Sequence, residues 1–292
     1  MLEVHLSHPS ALYHWIHPDV IAEWDTYLGN KLLATPFNTD ARDPTLHETI
    51  QDQIYAAATI ITQCQDIGVS ALKPSQQAIM EDKTPTTFLL YNLTAPQYQT
   101  ILERKVWSSM EITFRVASPK PAIPEFLFTL LGLTTTVALV EQINCKIWKD
   151  ETFHNFLGTI PQAMVINKGA PPTVNIQGFI DSVIVKHLET KGPKGIPKPT
   201  FNIYADRNCI QDRRIWVRIR DFFAEREYSS TLKRRAKMLE VPYNCGICHS
   251  TDHPQGLCTF PSLPGWNGPK KDAMSQRPEN DNRCNELATG EW

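Results

Sequence analysis

Apolar residues recur every three or four positions in some stretches of the chain and every second position in others, and these periods mark helices and strands. Val20, Ile21 and Trp24, just after Pro18, predict a short helix. Leu46, Ile50, Ile54, Ala57 and Ile61 form one stripe of a longer helix from about Pro44 to Gln63. Residues 68–85, with Pro74, Pro85 and the charge run Glu81-Asp82-Lys83, read as a connector. Phe88 to Leu93 has the length of a strand, and Thr94 followed by Pro96 opens a helix carrying Tyr98, Ile101, Leu102 and Val106. Met110, Ile112, Phe114 and Val116 alternate with polar residues and predict a strand with those four side chains inward. Glu125 to Leu131 gives a third strand, ended by Gly132, and the Thr134–Thr136 cluster caps a helix bearing Val137, Val140, Ile143 and Ile147.

Residues 153–160 and 175–188 add helical or strand-like material. Phe201, Ile203 and Ala205 then alternate on a closing strand, and a helix from about Asp212 to Glu227 turns Ile215, Ile219, Phe222 and Phe223 inward. The expected fold class is therefore α+β: a ferredoxin-like (RNA-recognition-like) β-α-β-β-α-β core over 84–228, with an insertion before its last strand. A mainly helical, acidic segment (1–83) precedes it. A basic linker (229–244), a short cysteine-rich module (245–258) and a Pro/Gly-rich, disordered tail (259–292) follow.

Charge sharpens this division. The 292 residues carry a net charge of −2, yet residues 1–83 hold eleven acidic against four basic side chains, about −7, which leaves about +5 for the rest. A uniformly basic nucleic-acid binder is excluded, but a protein with a basic C-terminal side is not. No apolar run is long enough for a membrane span, and the first residues lack the basic and apolar regions of a signal peptide. The expectation is an intracellular protein, cytoplasmic or nuclear, in a compartment that keeps thiols reduced.

The strongest chemical signal is Cys245, Cys248, His253 and Cys258, spaced C-x2-C-x4-H-x4-C. Three thiolates and an imidazole complete a tetrahedral set for Zn²⁺ with no position left for water or substrate, the pattern of a structural rather than a catalytic site. So short a module cannot build a hydrophobic core, so metal binding must supply most of its folding free energy. His5, His8, His14 and His17 are also clustered, but nothing of ligand type is interleaved at ligand spacing. Lys233, Arg234, Arg235 and Lys237 lead into the knuckle and suit phosphate contacts. Tyr243, Phe260 and Trp266 flank it and suit base stacking.

Phe126-Leu-Phe-Thr-Leu-Leu-Gly-Leu-Thr134, Gly195-Ile-Pro, Cys245-Gly-Ile-Cys, Asp252-His-Pro, Gly256-Leu-Cys and Pro264-Gly-Trp-Asn-Gly-Pro269 together make the chain resemble the gag-like CCHC zinc-knuckle proteins associated with retrotransposons of mushroom-forming (basidiomycete) fungi. The resemblance covers about residues 18–270. It implies an element-encoded or host-captured protein that binds RNA or single-stranded DNA and self-associates. The knuckle departs from the familiar retroviral form: Gly246 stands where that form has an aromatic residue, Asp252 where it has glycine, and Pro254 where an apolar residue follows the histidine. No Lys or Arg lies between Cys245 and Cys258.

Phosphate-loop, H-E-x-x-H and G-x-S-x-G motifs are absent from the sequence, so the expectation is a non-enzymatic protein without a small-molecule substrate. The expected function is zinc-dependent binding of single-stranded RNA or DNA by a gag-like protein of retrotransposon origin. The alternative is a protein-interaction or assembly module whose knuckle is a structural clip.

Overall fold

The structure, a computed structural model, describes residues 3–6, 8–37, 43–120, 122–133, 136–148, 150–159, 172–191, 195–209, 212–226, 228–229 and 235–270. The chain divides into two compact units. The first comprises Met1–Ala122, Cys245–His249 and Cys258–Lys271, and the second is built from Ile123–Asn244 and Ser250–Leu257.

The first unit contains α1 (Pro18–Thr26), β1 (Asn30–Pro36), α2 (His47–Thr62), β2 (Gly68–Ser70), α3 (Gln76–Met80), β3 (Phe88–Leu93), α4 (Ala95–Arg104), β4 (Val106–Ser108) and β5 (Thr113–Ala117). Its antiparallel sheet has the order β2-β3-β1-β5-β4. β1 lies at the centre and is buried on both faces. Leu32 and Ala34 join Ile50, Ile54 and Ala58 of α2 and Ile101 of α4 in one core. Leu33, with Leu89 of β3, packs instead against Leu12, Ile16, Val20 and Trp24. The Trp24 indole N–H donates to Ser70 Oγ at 2.7 Å, which fixes α1 against β2. His8 and His17 each accept a backbone N–H as helix caps, from Ser10 at 3.1 Å and Asp19 at 3.2 Å. Both histidines thus have local structural work.

The second unit contains β6 (Phe126–Leu131), α5 (Val137–Trp148), α6 (Glu151–Gly158), α7 (Pro172–Asp181), β7 (Ile184–Lys191), β8 (Pro197–Tyr204), α8 (Arg213–Ala224), β9 (Tyr228–Ser229) and β10 (Arg235–Met238). Its antiparallel strands run β7-β8-β6-β10-β9. The helices supply Val140, Phe153, Phe179, Ile215, Trp216, Ile219 and Phe223 to a core that includes Phe128, Leu130, Val185, Phe201 and Ile203 of the sheet. In chain order the strands of the two units occupy equivalent places. The first strand is central, the next two lie on one side of it with the later one adjacent, and the last strand closes the other side, flanked by the short edge strand that precedes it in the chain.

The α+β class holds, but the single core drawn over 84–228 does not form as expected. β3 and β5 pair with β1 in the first sheet, whereas β6 and β8 belong to the second. The segment 1–83 is likewise no separate helical piece, because it contributes β1 and β2 to the first sheet. The reason lies in β1. Its run Leu32-Leu33-Ala34 serves two cores and therefore shows no alternation. The predicted strand at Met110 also starts late: the Ser109 N–H turns back to Ile112 O at 2.9 Å, and Met110 is 86% exposed. The supposed connector 68–85 holds β2 and α3. Residues 272–292, expected to be disordered, lie outside the described residues.

Candidate metal centre

The Cys-x2-Cys pair sits on a tight turn. The His249 N–H donates to Cys245 O at 2.8 Å, and His249 takes a left-handed φ of 59° to complete it. The chain then passes through Asp252-His253-Pro254, where the Leu257 N–H returns to Pro254 O at 3.0 Å and delivers Cys258. The donor atoms of Cys245, Cys248, His253 and Cys258 all lie within 4.8 Å of one another. The three cysteines are fully buried. Among the described residues this is the one group of three or more such side chains that can hold a metal ion.

The donor chemistry fits a cation. Hydrogen bonding with the Cys245 and Cys258 thiols, together with burial, pushes the Cys248 thiol pKa up. Three sulfurs packed this closely cannot share negative charge unaided, so they keep their protons unless a cation takes the place of those protons. The C-x2-C-x4-H-x4-C spacing thus brings all four predicted ligands together.

Asp252, a departure from the retroviral pattern, orients the fourth ligand. Its Oδ1 lies 2.6 Å from His253 Nδ1 and accepts from Ser250 Oγ at 2.7 Å. A carboxylate at Nδ1 holds the ring proton there and leaves the Nε2 lone pair for a metal. The other oxygen, Oδ2, accepts from the Tyr204 hydroxyl at 2.9 Å. Asn202 Nδ2 donates to the Asp252 carbonyl, while Asn202 Oδ1 accepts from Thr129 Oγ1 at 2.7 Å. Burial, reinforced by the Asp252 charge, raises the Tyr204 pKa and keeps its proton in place as a donor. The histidine loop is thereby bonded to the helix-free face of β6 and β8.

The cysteine side is packed by aromatic rings. Phe37, directly after β1, lies 5.5 Å from both Phe260 and Trp266, which are 5.6 Å from each other. Phe37 and Phe260 pack with Cys245, Ile247, Cys248 and Cys258, and Val106 and Trp266 close the edge. Phe37 thus brings to the knuckle the aromatic cover that Gly246 cannot. The Asn267 N–H donates to Ser108 Oγ at 2.8 Å, and Trp266 Nε1 donates to Pro269 O at 3.1 Å.

These contacts change the picture of the expected nucleic-acid residues. Phe260 is 2% exposed and belongs to this packing, as does the half-buried Trp266. Tyr243 is half-buried and Lys237 is exposed on β10. Lys233 and Arg234 lie outside the described residues, and of Arg235 only the backbone is described, in β10. Several arginines of and after α8 stack within their own unit: Arg220 over Trp216 at 4.7 Å, Arg218 over Phe156 at 5.6 Å and Arg226 over Phe222 at 4.2 Å.

Sequence reasoning missed Phe37, Asn202 and Tyr204, which lie far from the knuckle along the chain. Asp252 carried a signal, as a polar residue standing where the familiar pattern has glycine. No helix among the described residues is long and apolar enough to cross a membrane. Compared with protein-family models and with curated proteins, the sequence finds no match.

Proposed function

We propose that this is a non-enzymatic, gag-like assembly protein in which Zn²⁺, held by Cys245, Cys248, His253 and Cys258, makes the knuckle a structural clip. One observation carries the reading: the side chains with which a knuckle would grip bases are already used in packing, with Phe260 2% exposed and set against Phe37 and the cysteines. The strand order of each sheet further supports reading both units as ferredoxin-like. RNA-recognition domains of that architecture stack bases on the helix-free face of the sheet. Here that face is covered by Leu12, Ile16, Val20 and Trp24 in the first unit, and bonded to Asp252 in the second. The partner is then another protein or a second copy of the chain, met in a reducing intracellular compartment.

A second reading, binding of single-stranded RNA or DNA, draws on the exposed cations of the second sheet: Lys237 on β10 and Lys186, Lys191 and Lys198 on β7 and β8. Lys233, Arg234 and Arg235 would extend that charge. Such contacts are with phosphates, so they are salt-dependent and indifferent to base sequence.

Sedimentation of the nuclease-treated protein and fluorescence-anisotropy titration with single-stranded RNA and DNA at two salt concentrations separate the readings. The clip predicts self-association without nucleic acid, and protease opening of 245–258 on chelation. Zinc-dependent oligonucleotide binding by a nuclease-treated monomer would overturn it. Joint neutralisation of Lys233, Arg234, Arg235 and Lys237 must flatten any salt-dependent affinity if the second reading holds.

A further inference from the structure

We infer that Arg115 is the buried counter-charge of the metal–thiolate centre, an inference that rests on the zinc reading above. Three thiolates and one neutral imidazole around a divalent ion leave one net negative charge. That charge sits where Cys245, Cys248 and Cys258 are fully buried. A buried charge is costly unless another group pairs with it.

Arg115 is placed to do so. It stands on β5 directly opposite Thr35 of β1 and Val106 of β4, and Val106 packs against the cysteine cluster. Two residues earlier along β5, Thr113 accepts the Phe37 N–H at 2.9 Å through its carbonyl. The Thr113 methyl lies 3.1 Å from where a Cβ on Gly268 would stand. This end of β5 is thus walled by the segments that hold the cysteines. Arg115 is 9% exposed, and its Nε meets no hydrogen-bond partner among the described residues. No carboxylate bridges it there. Burial lowers its pKa to about 10, and the opposing influence comes from Cys248. An arginine sequestered without a carboxylate is unfavourable in the metal-free chain and favourable once the thiolates carry charge. Guanidinium suits the position because it is weakly hydrated and keeps its charge on burial.

The test uses the full chain with Arg115→Met, which removes the charge, and Arg115→Lys, which keeps it. Zn²⁺ affinity is read by competition with a chromophoric chelator, and thermal melts are run on loaded and chelated protein. Arg115→Met is expected to bind Zn²⁺ about ten- to a hundredfold more weakly, the range found for groups that support metal ligands. Arg115→Lys should stay close to wild type. The chelated Arg115→Met chain should melt no lower than the chelated wild type, because an unpaired buried cation has gone.

Equal affinity in wild type and Arg115→Met overturns the inference. So does an equal loss in both variants, or a parallel fall of the loaded and chelated melts, which would mark a packing role. A wild-type chain that takes up no Zn²⁺ overturns the zinc reading itself, and the inference with it.

Discussion

Asp252→Ala tests the centre most directly, because one carboxylate serves the metal ligand and the sheet together. The substitution removes the acceptor for Ser250 Oγ and for the Tyr204 hydroxyl, at 2.7 and 2.9 Å, and the partner of His253 Nδ1 at 2.6 Å. Ser250 and Tyr204 are 0% and 6% exposed, so water cannot readily replace the lost acceptor. Leaving a buried donor unsatisfied costs about 1–3 kcal/mol, so two of them cost roughly 2–6 kcal/mol. At about 4 °C per kcal/mol for a unit of this size, the midpoint of thermal unfolding should fall by at least ~8 °C. Separately, an imidazole that has lost its orienting carboxylate should bind Zn²⁺ about ten- to a hundredfold more weakly, or ~1.4–2.7 kcal/mol. Tyr204→Phe removes only the carboxylate's own bond to the sheet and leaves the bond from Asn202 to the Asp252 carbonyl in place. It should cost about 1 kcal/mol and leave zinc affinity within roughly threefold. Zinc competition and calorimetry on both variants give the two observables. Wild-type zinc affinity in Asp252→Ala, or equal losses of affinity in both variants, would show that the carboxylate does not orient His253.

Two further outcomes are expected. Phe37→Ala should destabilise the first unit by about 3–5 kcal/mol, because it empties the centre of the Phe260–Trp266–cysteine packing; urea unfolding followed by tryptophan fluorescence reads this, and a loss under ~1 kcal/mol refutes the packing role. In the second unit the Thr152 N–H and then Arg226 hold the Asp150 carboxyl down at about 2, below the ordinary 3.8. Because the folded pKa is depressed, its contribution is complete above about pH 4 and is lost as pH falls through 2, so Asp150→Asn should lower stability at neutral pH and flatten acid unfolding in that window, the two proteins converging below about pH 2.

The four candidate ligands were legible because they are local: all four donors fall within one short stretch, and spacing alone constrains their geometry. What positions them was not. Phe37 approaches from more than two hundred residues away, and nothing in a periodicity announces a phenylalanine whose partners are cysteines. The helices of α2, α4 and α8 showed themselves because each buries a single stripe against a sheet. β1 hid because two cores claim its alternate side chains, which erases the polar positions that would have marked it as a strand. Once β1 was missed, β3 and β5 lacked their central neighbour, and β6 was assigned to the wrong partners.

The order of strands has a consequence during synthesis. In both units the first strand made is the central one, and its last neighbour along the chain comes late. β1 waits for Thr113–Ala117, but β6 waits for Arg235–Met238, roughly a hundred residues further on. At ~5–20 residues per second, the edge of β6 at Leu130 and Leu131 stays without its final neighbour for about 5–20 s. The second unit is therefore the half of the nascent chain most exposed to mispairing, and the half for which a chaperone would matter.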